Sequence, residues 1–358
     1  MKNDSNKTMG LGYFNLARGL GMVLILLGHS MNLYLPPEGY RNPGLGTGTV
    51  IGGGIMAAFF MISGFGFYKR SPKKCFSIQK KLFLYPYIFV AGVVLLTKAG
   101  LAVLEKRSFL KHGGELVLTY LFGLNAEGGG KFFGIPIESV SIFWFILALF
   151  GGWLLYNGIL QLHSQKIQNC CIVGCVILSY ILTLISKVWP YCFPMALLAV
   201  GYLAAGEFVK KHNLLERRIS LKWWILIIGS TVVSAIFGDV NIVACQWRLG
   251  LADVWGTFCA GFLILRLYAL FMNKERTGKI IGVLEEIGFN SISVVCIHAY
   301  EKIIFPWYRV AGLFPAQPWI GVGLCFLGRC IVIYLIYKMF FYVKGKINRK
   351  KKQKITLT

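Results

Sequence analysis

Long apolar runs, separated by short polar segments, make up most of the chain. Ten of these runs are about twenty residues long, which is the length that an α-helix needs to cross the hydrocarbon core of a bilayer. We therefore predict an all-α polytopic membrane protein with about ten transmembrane helices. The predicted spans cover residues 13–35, 49–68, 82–104, 139–161, 170–186, 190–209, 223–237, 249–272, 287–310 and 319–343.

A shorter apolar run lies between the third and fourth predicted spans, at residues 114–124, and a glycine-rich segment follows at 125–131. A helix over the apolar run would extend only about 16 Å, which is too short for a crossing. We predict a re-entrant or interfacial helix at this place. The ten spans are predicted to form one transmembrane domain, residues 1–343, followed by a basic tail at 344–358.

The net charge of +24 has to be read together with the positions of the basic residues. In a soluble protein it would suggest nucleic acid, but a mean hydropathy of +0.64 is too high for a soluble domain. With a cytoplasmic N-terminus, about two dozen Lys and Arg residues lie inside and about eight outside. We therefore predict that both termini are cytoplasmic and that the basic segments contact anionic membrane lipids, with no role for nucleic acid.

The first predicted span carries two ionisable residues, Arg18 and His29. Ionisable side chains inside a membrane helix are costly and rare, so each one is a hypothesis of function. Their separation corresponds to about three helical turns plus 20°, which places both on one stripe, about 16 Å apart along the axis. The structural alternative is that Arg18 extends to a nearby interface while His29 hydrogen-bonds a neighbouring helix.

Further ionisable residues lie inside the later spans, where they need partners or water. His298 and Glu301 share a helix face because they are three residues apart. They form either a pair that only fixes helix packing or part of a functional cavity. Trp144 is either an interfacial anchor or a cavity residue. The candidates for an acceptor site and its supporting groups are Trp144, Asp253, Arg266, His298 and Glu301, with Lys302 and Arg329 as further buried charges.

The spacing of Arg18 and His29, within residues 17–30, resembles the first-helix motif of the acyltransferase-3 family of integral membrane O-acyltransferases. The Leu27-Gly28-His29-Ser30 form is most similar to the fucose O-acetylase-like branch of that family. Three further stretches fit the resemblance: residues 59–65, Trp144-Phe145, and residues 287–291 leading to His298.

The resemblance implies ten helices in a bacterial cell membrane, an acyl-CoA donor used from the cytoplasm, and a hydroxyl acceptor that is usually a carbohydrate of the envelope. The acyl group is expected to be acetyl, and no metal is expected. Arg18, Lys80 and Lys81 are the expected contacts of the donor. Members of the family often carry arginine where Lys80 and Lys81 stand, so a bidentate contact to phosphate is lost or replaced here.

Acyl transfer to a hydroxyl needs a base for the hydroxyl proton and groups that stabilise the developing oxyanion. We expect His29, in the outer half of the membrane, to be this base, and Arg18, nearer the cytoplasm, to meet the donor. The competing hypothesis is a multi-pass transporter of a small polar or anionic solute, because buried charges, glycine-rich spans and Pro306 in the ninth span would also suit a carrier.

Overall fold

The structure is a computed structural model that describes residues 11–34, 52–105, 109–126, 130–243, 246–272 and 278–356. Within these ranges the chain forms α-helices joined by short turns. The helices are α1 (Asn15–Met31), α2 (Ile55–Phe65), α3 (Pro72–Gln79), α4 (Tyr85–Leu104), α5 (Phe109–Phe122), α6 (Phe143–Ile159), α7 (Gln165–Ile185), α8 (Phe193–Lys211), α9 (Leu221–Phe237), α10 (Leu251–Met272), α11 (Lys279–Phe289), α12 (Ser291–Ile304), α13 (Trp307–Ala311) and α14 (Pro318–Thr356).

Two small antiparallel hairpins correct the expectation that the chain is entirely α-helical. Strands β1 (Gly130–Phe132) and β2 (Ile135–Ile137) pair with each other, as do β3 (Val240–Asn241) and β4 (Gln246–Trp247). Phe133 and Gly134 form the turn of the first hairpin, with φ of 49° and 81°. Two successive residues with positive φ match the right-handed twist of a tight hairpin, and they join β1 to β2.

Six described helices are long and apolar enough to cross a membrane: Gly12–Tyr34, Pro72–Leu104, Gln165–Ile185, Pro190–Lys211, Leu251–Phe271 and Pro318–Tyr342. The bent pair of α11 and α12 makes a seventh if it is counted as one span. Shorter apolar helices lie at Gly52–Phe65, Gly113–Phe122, Phe143–Ile159 and Leu221–Phe237. The chain is therefore a polytopic, mostly helical membrane protein, while the count of ten spans and the side of the termini stay predictions.

The predicted ninth span, residues 287–310, is not a single helix. The chain breaks at Asn290, and α11 and α12 meet there at 82°. α12 ends at Ile304, ahead of Pro306, because proline has no N–H to donate and its ring obstructs the preceding turn. The bend turns α12 inward, and its central residues from Val294 to Ala299 are buried.

The third apolar segment begins ten residues earlier than its predicted start at residue 82. α3 starts at Pro72, which occupies the first helical turn, where a missing N–H costs nothing. A π-helical turn, Lys80–Leu84, then joins α3 to α4 within one long helix. Lys80 and Lys81 therefore lie inside a helical segment.

Two helix pairs approach so closely that only glycine fits at the contact. A Cβ on Gly19 of α1 would lie 2.0 Å from the carbonyl oxygen of Leu284, and one on Gly288 would lie 1.7 Å from that of Asn15. In the same way, Gly64 of α2 faces the backbone of α8. These small-residue contacts hold α1 against α11 and α2 against α8.

α8 lies at the centre of the bundle. Of the residues in its most apolar stretch, 72% are buried, compared with 11% in α7. Aromatic packing links α8 to its neighbours, since the ring of Tyr202 stacks on Phe60 and contacts Phe258. At the other end of the chain, α14 runs on to Thr356, past the predicted boundary between the membrane domain and the basic tail at residue 343.

Candidate functional site

A cavity of about 310 Å³ opens where four helices and one hairpin meet. The C-terminal end of α1, the N-terminal ends of α2 and α6, the middle of α12 and strand β3 form its wall. Its polar and ionisable groups, among the described residues, are His29, Asn32, Ser139, Ser141, Asn241, His298 and Lys302. No Asp or Glu belongs to this described lining, so the cavity presents hydrogen-bonding groups, two imidazoles and a cation.

His29 and His298 face each other in this wall. Their ring centroids are 5.2 Å apart, and the ring planes are inclined by 49°. His29 is half-buried near the end of α1, whereas His298 on α12 exposes no surface. The bend at Asn290 makes this meeting possible, because it brings α12 across the end of α1. Two residues that are far apart in sequence thus place two imidazoles at one cavity.

Glu301 lies behind His298 and forms the centre of a buried polar cluster. Nδ1 of His298 lies 2.6 Å from Oε1 of Glu301, and the guanidinium of Arg329 donates to the same oxygen at 2.7 Å. The indole N–H of Trp307 donates to the other carboxylate oxygen. His298, Glu301 and Arg329 are all buried, so the ion pair is held by hydrogen bonds in an apolar surrounding.

Each member of this cluster is placed by a different local feature. His298 and Glu301 share one face of α12, as their spacing predicted. α13 follows the helix stop at Pro306, and its first residue, Trp307, contacts the carboxylate. Arg329 comes from α14, and its guanidinium carbon also lies 5.1 Å from the centre of the Trp307 ring.

Aromatic and amide side chains complete the cavity. Trp144 is buried in the wall, where its ring packs against Phe60 and Phe145. At the rim, the amide of Asn125 donates to the carbonyl of Val243 at 2.7 Å and accepts from Ser139 at 2.5 Å. These two bonds join the segment after α5, the start of α6 and the second hairpin.

A family model described as an acyltransferase domain matches residues 11–338, which is most of the chain. The chain belongs to the acyltransferase-3 family. No curated protein and no solved structure matches it. The protein is therefore a membrane acyltransferase, and the cavity between α1, α6 and α12 is the place where its geometry brings ionisable groups together. Among the described residues there is no group of three or more His, Cys, Asp or Glu that could hold a metal ion.

Arg18 lies at the opposite end of α1 in this acyltransferase. α1 is unbroken from Asn15 to Met31, so Arg18 and His29 stay about three turns apart on one stripe. The guanidinium of Arg18 donates to the Asn15 side chain at 3.1 Å, and it is half-buried. Arg18 is not among the described lining of the cavity, so the two residues of the first-helix motif occupy separate places.

Lys80 and Lys81 also lie apart from the described cavity wall. Lys80 is half-buried, and its ammonium group lies 5.6 Å from the ring centres of both Phe76 and Tyr85. Lys81 is exposed. In the turn before α3, the Arg70 guanidinium lies 3.9 Å from the ring of Tyr68.

Asp253 and Arg266 on α10 were expected near the other buried charges, but the structure places them elsewhere. The carboxylate of Asp253 accepts from the Ser234 hydroxyl at 2.7 Å and from the backbone N–H of Leu249 at 2.8 Å. Two guanidinium nitrogens of Arg266 donate to the carbonyls of Leu214 and Arg217, beyond the end of α8. Both side chains therefore tie helices and turns together away from the described cavity.

Trp307 and the rim residue Asn125 were not singled out from the sequence. A tryptophan directly after Pro306 resembles an interfacial anchor, and only the tertiary structure shows that its N–H reaches Glu301. Asn125 stands in a glycine-rich segment that carries no periodic pattern. The one available signal was a buried carboxylate on α12, which requires donors from somewhere in the chain.

Proposed function

We propose that this acyltransferase moves an acyl group, expected to be acetyl, from cytoplasmic acyl-CoA to a hydroxyl of a cell-envelope or exported carbohydrate. The reaction takes place in the cavity lined by His29. One observation carries the proposal: two imidazoles face each other in the wall of a cavity between apolar helices, and one is bonded to a buried carboxylate. An imidazole is the side chain best suited to accept a hydroxyl proton near neutral pH.

The remaining cavity groups suit a sugar. Phe59, Trp144 and Phe145 supply apolar ring faces, while Asn32 and Asn241 supply hydrogen-bonding groups. Ring faces combined with a few polar groups are what a hydroxylated ring needs in order to bind in one orientation. This composition supports a carbohydrate acceptor and agrees with the fucose O-acetylase-like branch that the first-helix motif resembles.

The donor is proposed to enter from the basic side of the protein. Arg18 lies about three turns from His29 along α1, and Lys80 and Lys81 stand on the long helix that begins at Pro72. Acyl-CoA has an anionic head and a long flexible arm, so its head could remain near these cations while its thioester reaches the cavity. Both termini are then cytoplasmic, and the membrane is a bacterial cell membrane.

The test of this function is transfer of labelled acetyl. Purified protein in liposomes is incubated with labelled acetyl-CoA and a set of alkyl glycosides and envelope glycolipids, and the products are identified by mass. We expect release of free CoA that depends on the hydroxyl compound and gives an acetylated carbohydrate. Counterflow of a small solute without any release of CoA would support the transporter hypothesis instead.

The proposed orientation has its own test. Single cysteines replace Lys73, Lys350 or Arg41 in a cysteine-free background, and intact cells are treated with an impermeant thiol reagent. We expect labelling at position 41 only, because the asymmetry of basic residues places positions 73 and 350 inside. Labelling of positions 73 and 350 from outside would reverse the orientation and exclude a cytoplasmic donor.

A further inference from the structure

We propose that Glu301 and His298 position the catalytic imidazole of His29 through a chain of contacts that runs from Glu301 to His298 and from His298 to His29. The inference rests on the proposed function, because it takes His29 as the group that receives the acceptor's proton. It gives His298 and Glu301, which the sequence offered only as candidates for an acceptor site or its supporting groups, a defined role as positioning residues for His29.

The chain of contacts begins at the carboxylate of Glu301, which its hydrogen bonds hold in one orientation. Oε1 of Glu301 receives the Arg329 guanidinium and faces His298 Nδ1, while Oε2 receives the Trp307 indole N–H. Donors from three different elements therefore fix one buried side chain. The positive charge of Arg329 balances the carboxylate, so His298 can stay neutral with its proton on Nδ1, donated to Glu301.

In that arrangement Nε2 of His298 is a hydrogen-bond acceptor that has no donor among the described residues. Nε2 is buried and makes no hydrogen bond to any described residue. An unpaired buried nitrogen is costly, so a nearby N–H is expected to satisfy it when the site is occupied. The ring centroids of His29 and His298 lie 5.2 Å apart, a spacing that leaves room for a hydrogen bond of about 3 Å between facing ring nitrogens.

The exposed surface of the two imidazoles shows which of them contacts the acceptor. His298 exposes no surface, whereas His29 is half-buried and lines the cavity. His29 is therefore the imidazole that touches the acceptor, and His298 acts behind it. If His29 donates one N–H to Nε2 of His298, its other nitrogen carries a lone pair and is presented to the cavity. The carboxylate of Glu301 thus selects the tautomer of His29 through His298.

The charged and titratable groups that face this pair come from three helices. Glu301 and Lys302 lie on α12 beside His298, His29 itself is the group on α1, and Arg329 comes from α14. From α4, Thr97 contributes only a neutral contact, to the Tyr300 hydroxyl at 3.2 Å. Glu301 is the one carboxylate in this set.

The transfer step then balances without any further reactant. The acceptor oxygen forms a bond to the thioester carbonyl carbon while its proton passes to the free nitrogen of His29. The C–S bond breaks, the electron pair leaves with sulfur, and the proton returns from His29 to the thiolate. The products are the acyl ester and free CoA, and Glu301 stays ionised throughout.

The experiment compares two acceptors within each protein preparation. Acetyl-CoA is the donor, an alkyl glycoside is the hydroxyl acceptor, and hydroxylamine is the reference acceptor because it attacks thioesters without first losing a proton. Rates are corrected for the uncatalysed reaction, and donor KM is recorded. The ratio of the two rates cancels the folded fraction, so a partly unfolded variant still gives an answer.

We expect His298→Ala to lower the glycoside rate by at least about tenfold and to change the hydroxylamine rate by less than about threefold. His298→Gln, whose carbonyl oxygen can accept the N–H of His29, should recover much of the loss. The double variant His29→Ala/His298→Ala should be no slower than His29→Ala alone, because His298 acts through His29. Tyr300→Phe, which lies on the same helix and contacts α4, should behave as wild type.

Equal losses with both acceptors in His298→Ala would assign His298 a purely structural role and overturn the proposal. Unchanged rates with both acceptors would also overturn it, and so would additive losses in the double variant. A wild-type protein that acetylates neither acceptor would instead contradict the proposed function. The two failures are therefore distinct.

Discussion

Two groups of buried charges in this acyltransferase have opposite characters. On α10, both carboxylate oxygens of Asp253 and two nitrogens of Arg266 are taken by partners in neighbouring turns and helices. On α12, Glu301 is equally well bonded, but the histidine attached to it keeps one buried nitrogen without a described partner, beside a cavity. Arg266 also keeps one buried nitrogen, Nε, without a described partner, but it lies away from the described cavity. A buried charge therefore indicates function only where its group adjoins a cavity.

The strongest way to test this comparison is to remove His29 from the cavity wall. His29→Ala should lower acyl transfer to a hydroxyl acceptor by at least about a hundredfold, because the proton acceptor is lost. Binding of acyl-CoA should survive, since the cations at the other end of α1 are unchanged. Single-turnover transfer and calorimetric titration of a non-hydrolysable acyl-CoA measure the two effects. His163→Ala, at an exposed turn before α7, is the matched control.

A smaller effect is expected from Arg18, which lies outside the described cavity. Arg18→Ala should weaken acyl-CoA binding by about 1–3 kcal/mol, the value of a hydrogen bond to a charged group. Arg18→Lys should recover only part of this, because an ammonium cannot reproduce the planar guanidinium. The same calorimetric titration measures both variants. Normal donor binding combined with a loss of chemistry as large as that of His29→Ala would show that the two residues act at one centre.

The smallest effect on transfer is expected from the buried charges on α10, which lie away from the described cavity. Asp253→Asn should change the transfer rate per folded molecule by less than about twofold, yet lower the free energy of unfolding by about 1–3 kcal/mol. The reason is that an amide can replace only one of the two acceptor oxygens that Ser234 and Leu249 use. Thermal unfolding in detergent and the transfer assay are read on the same sample. A large loss of transfer at unchanged stability would remove the distinction between the two groups.

The sequence was informative wherever the chemistry is local. The separation of Arg18 and His29 predicted one stripe of one helix, and α1 is unbroken between them. The spacing of His298 and Glu301 predicted a shared face, and the two side chains are in contact. These predictions succeed because helical periodicity alone fixes which side chains lie together.

The sequence was less informative about which buried charges gather at one place. Asp253, Arg266, His298 and Glu301 all appear in apolar segments, and nothing in their local pattern separates them. Only Glu301 and His298 reach the cavity region, because the bend at Asn290 redirects α12 across the end of α1. That bend lay within a stretch predicted as a single span. A change of helix direction depends on what the helix packs against, which hydropathy does not record.

The sequence by itself therefore determined the class of the protein, a polytopic membrane protein of the acyltransferase-3 family, and the two ends of α1 that carry Arg18 and His29. Tertiary structure alone decided that His29 meets His298, that Trp307 and Arg329 complete the hydrogen bonds of Glu301, and that Asp253 stands apart. The physical reason is the separation along the sequence over which each effect acts. Apolar length and helical spacing act over a few residues, whereas the pairing of buried polar groups depends on contacts between distant segments.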